Sequence, residues 1–242
     1  PTAHRSRPEP ILEQRDGRMS AWSPNGFTDR CFAFLAGLEK NNNAGWFNEN
    51  KAVFKDSLER PFAEVLKEVS SRLSEAPVPL RGSRTTMFRM NRDVRFSADK
   101  SPYKTAVGGL LTPSGTKVEE AGLVYLHFGV DGGFVAAGLH HPSPKQLGPL
   151  RDQMLEDPEE FDAVVEGLRE AGLGLDPENS LKTMPRGYSE HAEHRLAWAL
   201  RLKELITSRR LPRTAWKSGD IADRVEEFAR GVTPLLRFVR SG

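Results

Sequence analysis

The 242 residues carry 38% hydrophobic and 28% charged side chains with four Trp, a composition that can bury a core and excludes a chain disordered throughout. Net charge is only +2, too small for bulk electrostatic capture of nucleic acid, and no apolar run approaches the roughly 18 residues of a membrane span. A single cysteine, Cys31, excludes an internal disulfide framework and points to a reducing compartment; PTAHRSRPEP holds no signal-peptide core, so a soluble, cytoplasmic protein is expected.

Residues 1–22 are rich in Pro and Arg, lack periodicity and read as a flexible tail, leaving 23–242 as a single α+β domain. Thr28 is a candidate N-cap, and Phe27, Cys31, Phe34, Leu35 and Leu38 recur at helical spacing up to Asn41-Asn42-Asn43. Cys31 is expected as a small buried hydrophobe. A second helical stretch starts near Gly45 and restarts at Pro61, where Phe62, Leu66, Val69 and Leu73 keep a 3.6 period; Trp46 and Phe47 are expected core anchors.

After APVPL the period changes. Strands are predicted over 85–96, 104–112, 122–130 and 133–140, joined by turns such as TPSG and DGG, and connections this short favour an antiparallel meander. LVYLHFGV is apolar on both faces and is expected as a central, covered strand in which His127 is a satisfied core residue. Helical periodicity returns from Pro144 and continues through PEEFDAVVEGLREAGL. A further helix is predicted with Leu196, Leu200 and Leu205 on its apolar side. The last places Ile221, Val225, Phe228, Val232, Leu235 and Val239 on one stripe. The order predicts an α+β fold: a central antiparallel sheet of about four or more strands, covered by N-terminal and C-terminal helices.

Charge is segregated along the chain. Residues 81–104 carry a net +5, residues 141–200 a net −6, and the remainder after 200 a net +5. The densest part is RMNRDVRFSADKSPYK, with five cations and two carboxylates. Drawn as a strand, it puts Phe88, Met90, Val94 and Phe96 on a core face and Arg89, Asn91, Asp93 and Arg95 on the other, so Arg89 and Arg95 compete for Asp93. Arg92 falls on the apolar face, which calls for a bulge or a specific partner. Lys100 and Lys104 lie beyond the SADKSP turn with Tyr103 between them, and Ser101 before Pro102 could cap a helical turn whose free N–H groups favour an anion. Guanidinium forks match carboxylate and phosphate geometry, so an anion-binding pocket is expected, with Asp93 and Asp99 orienting the cations. The competing reading is a solvated ladder of ion pairs.

RMNRDVRFSADKSPYKT resembles the central signature of domain-of-unknown-function family 2461, an Arg-Asp-x-Arg-Phe-x-x-Asp-Lys-x-Pro-Tyr-Lys pattern. FLAGLEKNNNAGWF, GLHHPSPKQLGPLRDQM and MPRGYSEH are looser matches, so the similarity spans residues 26–240. The resemblance implies no activity. It singles out Arg92, Asp93, Arg95, Asp99, Lys100, Tyr103 and Lys104, with Arg151 and Tyr188 as weaker matches. The family follows the last motif's His with Pro, whereas Ala192 follows His191, which leaves that histidine's role open.

No CxxC, HExxH or EF-hand spacing supports metal binding by His140, His141, His191 or His194, and no GxSxG elbow, Walker loop or GxGxxG is present, so no metal or cofactor is expected. For an enzyme, Asp93 or Asp99 would be the general acid or base and Tyr103 a proton donor. Arg89, Arg92, Arg95, Lys100, Lys104, Arg151 and Tyr188 would hold substrate charge. The expected partner is an anionic small molecule. A protein scaffold or self-associating chain is the alternative, and a nucleic-acid module ranks lower because the sheet lacks interleaved exposed aromatics.

Overall fold

The computed structural model describes residues 22–23, 26–118 and 121–241. The expected tail over 1–22 lies outside them except for Trp22, whose backbone pairs with Phe27 in a small hairpin of β1 (Trp22–Ser23) and β2 (Gly26–Phe27). Helix α1 (Asp29–Lys40) follows Thr28, then α2 (Ala44–Glu49) is capped by Asn43, whose side chain accepts from the Trp46 N–H. Trp46, Phe47 and Cys31 are buried as expected.

The chain continues through α3 (Lys51–Phe54), a π-helical turn over Lys55–Glu59 and α4 (Arg60–Arg72). The wide turn has a local cause. Pro61 has no N–H to offer the Ser57 carbonyl four residues back. That carbonyl accepts instead from the buried Cys31 thiol, at 2.8 Å.

The sheet is antiparallel in the order β3 (Val107–Leu111), β4 (Leu123–Gly129), β5 (Gly132–Leu139) and β6 (Leu205–Pro212). Together with helices on either side of it in sequence, this is the α+β architecture expected. Two strand assignments change. Residues 85–96 form no regular strand: a 3₁₀ turn over Arg84–Thr86 is followed by isolated bridges, Met87 to Gly109 and Asn91 to Tyr103. Leu205, expected on a helix, opens β6, because the chain leaves the one-turn helix α7 (Ala197–Leu200) and then alternates Leu205, Thr207 and Leu211 inward.

After β5 come α5 (Pro144–Glu156) and α6 (Pro158–Glu170), and after β6 come α8 (Arg213–Lys217), α9 (Ile221–Gly231) and α10 (Thr233–Ser241). The expected single last helix is broken at Val232, since Pro234 cannot supply the amide that would continue it. Its apolar stripe is nonetheless buried throughout. Nearly all the buried apolar side chains of the described residues form one cluster from Phe27 to Val239.

Helices cover one face of the sheet. Val124, Leu126 and Phe128 of β4 are fully buried there, with Phe128 packed on Phe27, Phe32 and Trp216. On the other face Leu123, Tyr125 and His127 are only half-buried, so β4 is central but covered on one side. Gly138 (φ 122°) allows β6 to approach, for any Cβ there would lie 1.9 Å from the Leu205 carbonyl oxygen.

Candidate functional site

A cleft of about 400 Å³ opens between the half-exposed sheet face and the basic stretch. Its floor is set by strand register. Gly108 and His127 lie side by side on β3 and β4, and Phe134 and Arg210 continue the row across β5 and β6 beyond the cleft's lining. The His127 and Phe134 rings stack at 4.7 Å, and the Tyr125 hydroxyl shares a 3.0 Å hydrogen bond with His127 Nδ1. Gly108 makes room for this pair, because a Cβ there would come within 2.6 Å of the Tyr125 hydroxyl. Burial pushes the Tyr125 phenol up and the His127 imidazole down, so both are neutral at pH 7.

The wall is an irregular hairpin. Arg92 N–H donates to the Pro102 carbonyl at 2.9 Å and Lys104 N–H to the Met90 carbonyl at 2.7 Å. Pro102 has no amide proton, which limits the ladder to these bonds. Asn42, at the end of α1, fixes the hairpin to the helices through both backbone polar groups of Tyr103, whose ring stacks on Phe47 at 4.1 Å.

The hairpin accounts for the parity anomaly. Arg92 turns to Asp99 and forms an ion pair with it, and Asp99 also accepts from the Ser101 N–H at 2.9 Å. The hydrogen bonds of Ser101, and then Arg92, hold the Asp99 carboxyl well below the usual range. No helical turn begins at Ser101, because this hydrogen bond folds the loop back on itself. Phe96, drawn on the core face by alternation, is 95% exposed at the hairpin tip, while Phe88 lines the cleft.

Of the candidate residues, Arg92, Asp99, Tyr103 and Lys104 line the cleft, joined by Glu39, Asn42 and Ser101. Arg95 is bound to Asp93 in a bidentate, exposed pair, which depresses the Asp93 carboxyl. Lys100 donates to the Val94 carbonyl at 2.9 Å. Arg89 is exposed and paired with no carboxylate among the described residues, yet close enough to disfavour the charge on Lys104. Arg151 and Tyr188 are not among the cleft's lining residues; they form their own contact, the guanidinium 5.8 Å from the ring centroid. Arg151 is buried and donates to the Leu202 carbonyl at 3.0 Å, while Tyr188 donates to Asp152 at 2.6 Å.

Lys104 differs from Arg92, the other cation lining the cleft. Among the described residues no carboxylate lies within ion-pair distance of it, and its ammonium stands 5.1 Å from the centre of the Phe88 ring. Burial, and then the nearby Arg89, lower its pKa.

Sequence reasoning missed Tyr125 and His127 in the cleft, and Phe134 and Arg210, which continue their row outside it. The available signal was the alternation in LVYLHFG set against the small residues of VGG: a glycine across from a histidine makes space on the same face. Asp93 and Asp99 are held ionised by their partners, and burial moves the Tyr125 phenol up and the His127 imidazole down, so none of the four is tuned towards neutral pH.

Among the described residues no helix is long and apolar enough to cross a membrane. No curated protein and no solved structure matches the chain. Residues 30–238 match the family described as "Conserved hypothetical protein (DUF2461)". That match takes in nearly all of α1, the basic hairpin, the whole four-stranded sheet and most of α10, and the chain therefore belongs to domain-of-unknown-function family 2461.

Proposed function

We propose that the cleft binds a small carboxylated or phosphorylated molecule with a planar body, its anionic group on Lys104 and Arg92 and its body against Phe88, Tyr125 and His127. Lys104 carries this reading. A partly desolvated ammonium beside a second cation and without a counter-ion costs stability unless an anion completes it. Ser101 and Thr105 offer hydroxyls at the same wall. Asp99 holds Arg92 in place and Arg95 is occupied by Asp93, so Arg92 and Lys104 bear the affinity while Arg95 does not. Residues 23–242 act as one domain in this proposal, supported by the single apolar cluster, and a reducing, cytoplasmic setting rests on the single-cysteine composition.

The test is a thermal-shift screen of phosphorylated metabolites, nucleotides and carboxylates against wild type, Lys104→Ala, Arg92→Ala and Arg95→Ala. A ligand at about 100 times its dissociation constant adds about 2.7 kcal/mol, a shift of roughly 5–10 °C for a chain of this size. The shift should vanish in the first two variants and persist in the third. No shift from any class would reject the proposal.

A second reading, single-stranded nucleic acid, gains from the aromatic row of Tyr125, His127 and Phe134 beside Arg210 on the half-exposed sheet face. Steep loss of oligonucleotide affinity with salt, without a response to mononucleotides, would favour it.

A further inference from the structure

We infer that His140, His141 and Glu204 form a binding site for a divalent transition-metal ion such as Zn²⁺, apart from the lining of the cleft. One nitrogen of each imidazole and one carboxylate oxygen all lie within 4.8 Å of one another. His140 Nδ1 is 2.9 Å from Glu204 Oε2 and His141 Nδ1 is 2.8 Å from Oε1.

The sheet explains how residues 64 positions apart meet. Leu139 pairs with Leu205, so His140 and Glu204 occupy the next rung beyond the last pair of β5 and β6. Consecutive residues of a continuing strand would point to opposite faces. His141 does not continue the strand: its φ of 47° makes it the one described non-glycine residue in the left-handed region. That backbone turn brings the second imidazole beside the first, with ring centroids 3.9 Å apart, and directs both nitrogens at one carboxylate.

The chemistry suits a borderline metal. Two imidazoles and a carboxylate are three ligands of a tetrahedral site, and the fourth position faces solvent, because the histidine side chains are 62% and 74% exposed. Metal–ligand bonds of about 2.0–2.2 Å place tetrahedral donors roughly 3.3 Å apart, so each exposed ring would draw back about 0.5 Å from its own carboxylate oxygen while donors now up to 4.8 Å apart close towards that spacing. Glu204 itself is buried, with 6% of its side chain exposed, which fixes one donor and limits its exchange with water. Sequence spacing hid the set, since adjacent histidines match no ligand motif and the carboxylate lies 64 positions away, just before β6.

The test is titration of the untagged full chain with Zn²⁺ by calorimetry and with Co²⁺ by visible absorption. Wild type should bind one equivalent, with the d–d bands of a low-coordinate Co²⁺ site. His140→Ala and His141→Ala, both exposed and compatible with folding, should each weaken binding by more than about 10-fold. A His191→Ala/His194→Ala double variant should bind as wild type does. Absence of binding in wild type, unchanged binding in both single variants, or loss of binding in the double variant would each overturn the assignment.

Discussion

The Asn42 side-chain amide spans both backbone polar groups of Tyr103, donating to its carbonyl at 2.9 Å and accepting from its N–H at 3.0 Å. Only one orientation of the amide satisfies both, so the end of α1 fixes the hairpin in register. Asn42→Ala leaves two partly buried groups unpaired and should cost about 1–3 kcal/mol, or roughly 2–10 °C in Tm. Amide exchange at Tyr103 and Lys104 should accelerate before that of β4. Unchanged exchange would show that the hairpin is held by other contacts.

Lys104 should show a conflict between stability and binding. Its folded pKa is below the unfolded one, so the unfolded chain binds more protons in the window just below pH 10.5, and stability rises with pH across it. At neutral pH the charge is a net penalty. Lys104→Met should therefore raise Tm in the absence of ligand; the ammonium is still largely solvated, so the gain is at most about 0.5 kcal/mol, or 1–2 °C. The same variant should lose the anion response. A fall in Tm would show that the ammonium already has a stabilising partner.

Gly108→Ala should act on the site through Tyr125. The new methyl carbon would sit 2.6 Å from the hydroxyl and 2.9 Å from a ring carbon, forcing the ring away from His127. Overpacking of this kind costs about 1–3 kcal/mol. Ligand binding should weaken, and the His127 resonances should move in a histidine-selective NMR spectrum. If they stay in place, the two side chains are not coupled.

His127 gives a pH signature of opposite use to that of a paired histidine. Burial lowers its pKa below 6.5, so on acidification the unfolded state takes up this proton first and stability falls as pH drops from about 6.5. His127→Gln should flatten that part of the stability–pH curve in urea unfolding. An identical slope in the variant would exclude the histidine as its source.

Cys31 should be inert in the folded protein. Burial raises its pKa, and its thiol is committed to the Ser57 carbonyl. A thiol reagent should label it only at the rate of global unfolding. Cys31→Ala removes the donor that Pro61 cannot replace and should cost about 1–3 kcal/mol, whereas Cys31→Ser, which keeps a donor, should cost less. Rapid labelling of native protein would show that the segment opens locally.

The fold was legible where periodicity is local. Phe62, Leu66, Val69 and Leu73 announce their helix, and three strands fall within a few residues of their expected bounds. β6 was not, because Leu196, Leu200 and Leu205 imitate a helical stripe across a turn of chain. The hairpin misled alternation: with Pro102 opposite Arg92 the ladder stops, and Phe96 is carried to the tip rather than to the core. The cations of the site were visible as a dense run, but sequence could not say which were already paired. Lys104 and Arg95 look alike until Asp93 is seen to hold one of them. Tyr125 and His127 required register, which no single segment contains.

The placement of β6 beside β5 also bears on how the chain is made. Residues 140–204 must leave the ribosome before Leu205–Pro212 can cover the β5 edge, so a nascent chain whose three-stranded meander forms first would expose an open hydrogen-bonding edge for that interval. Gly133 and Gly138 leave little side chain over part of that edge, so its unpaired backbone groups are open to a second nascent chain. Synthesis that stalls between α5 and β6 should therefore yield aggregates more readily than synthesis that stalls before β3, where no edge has yet formed.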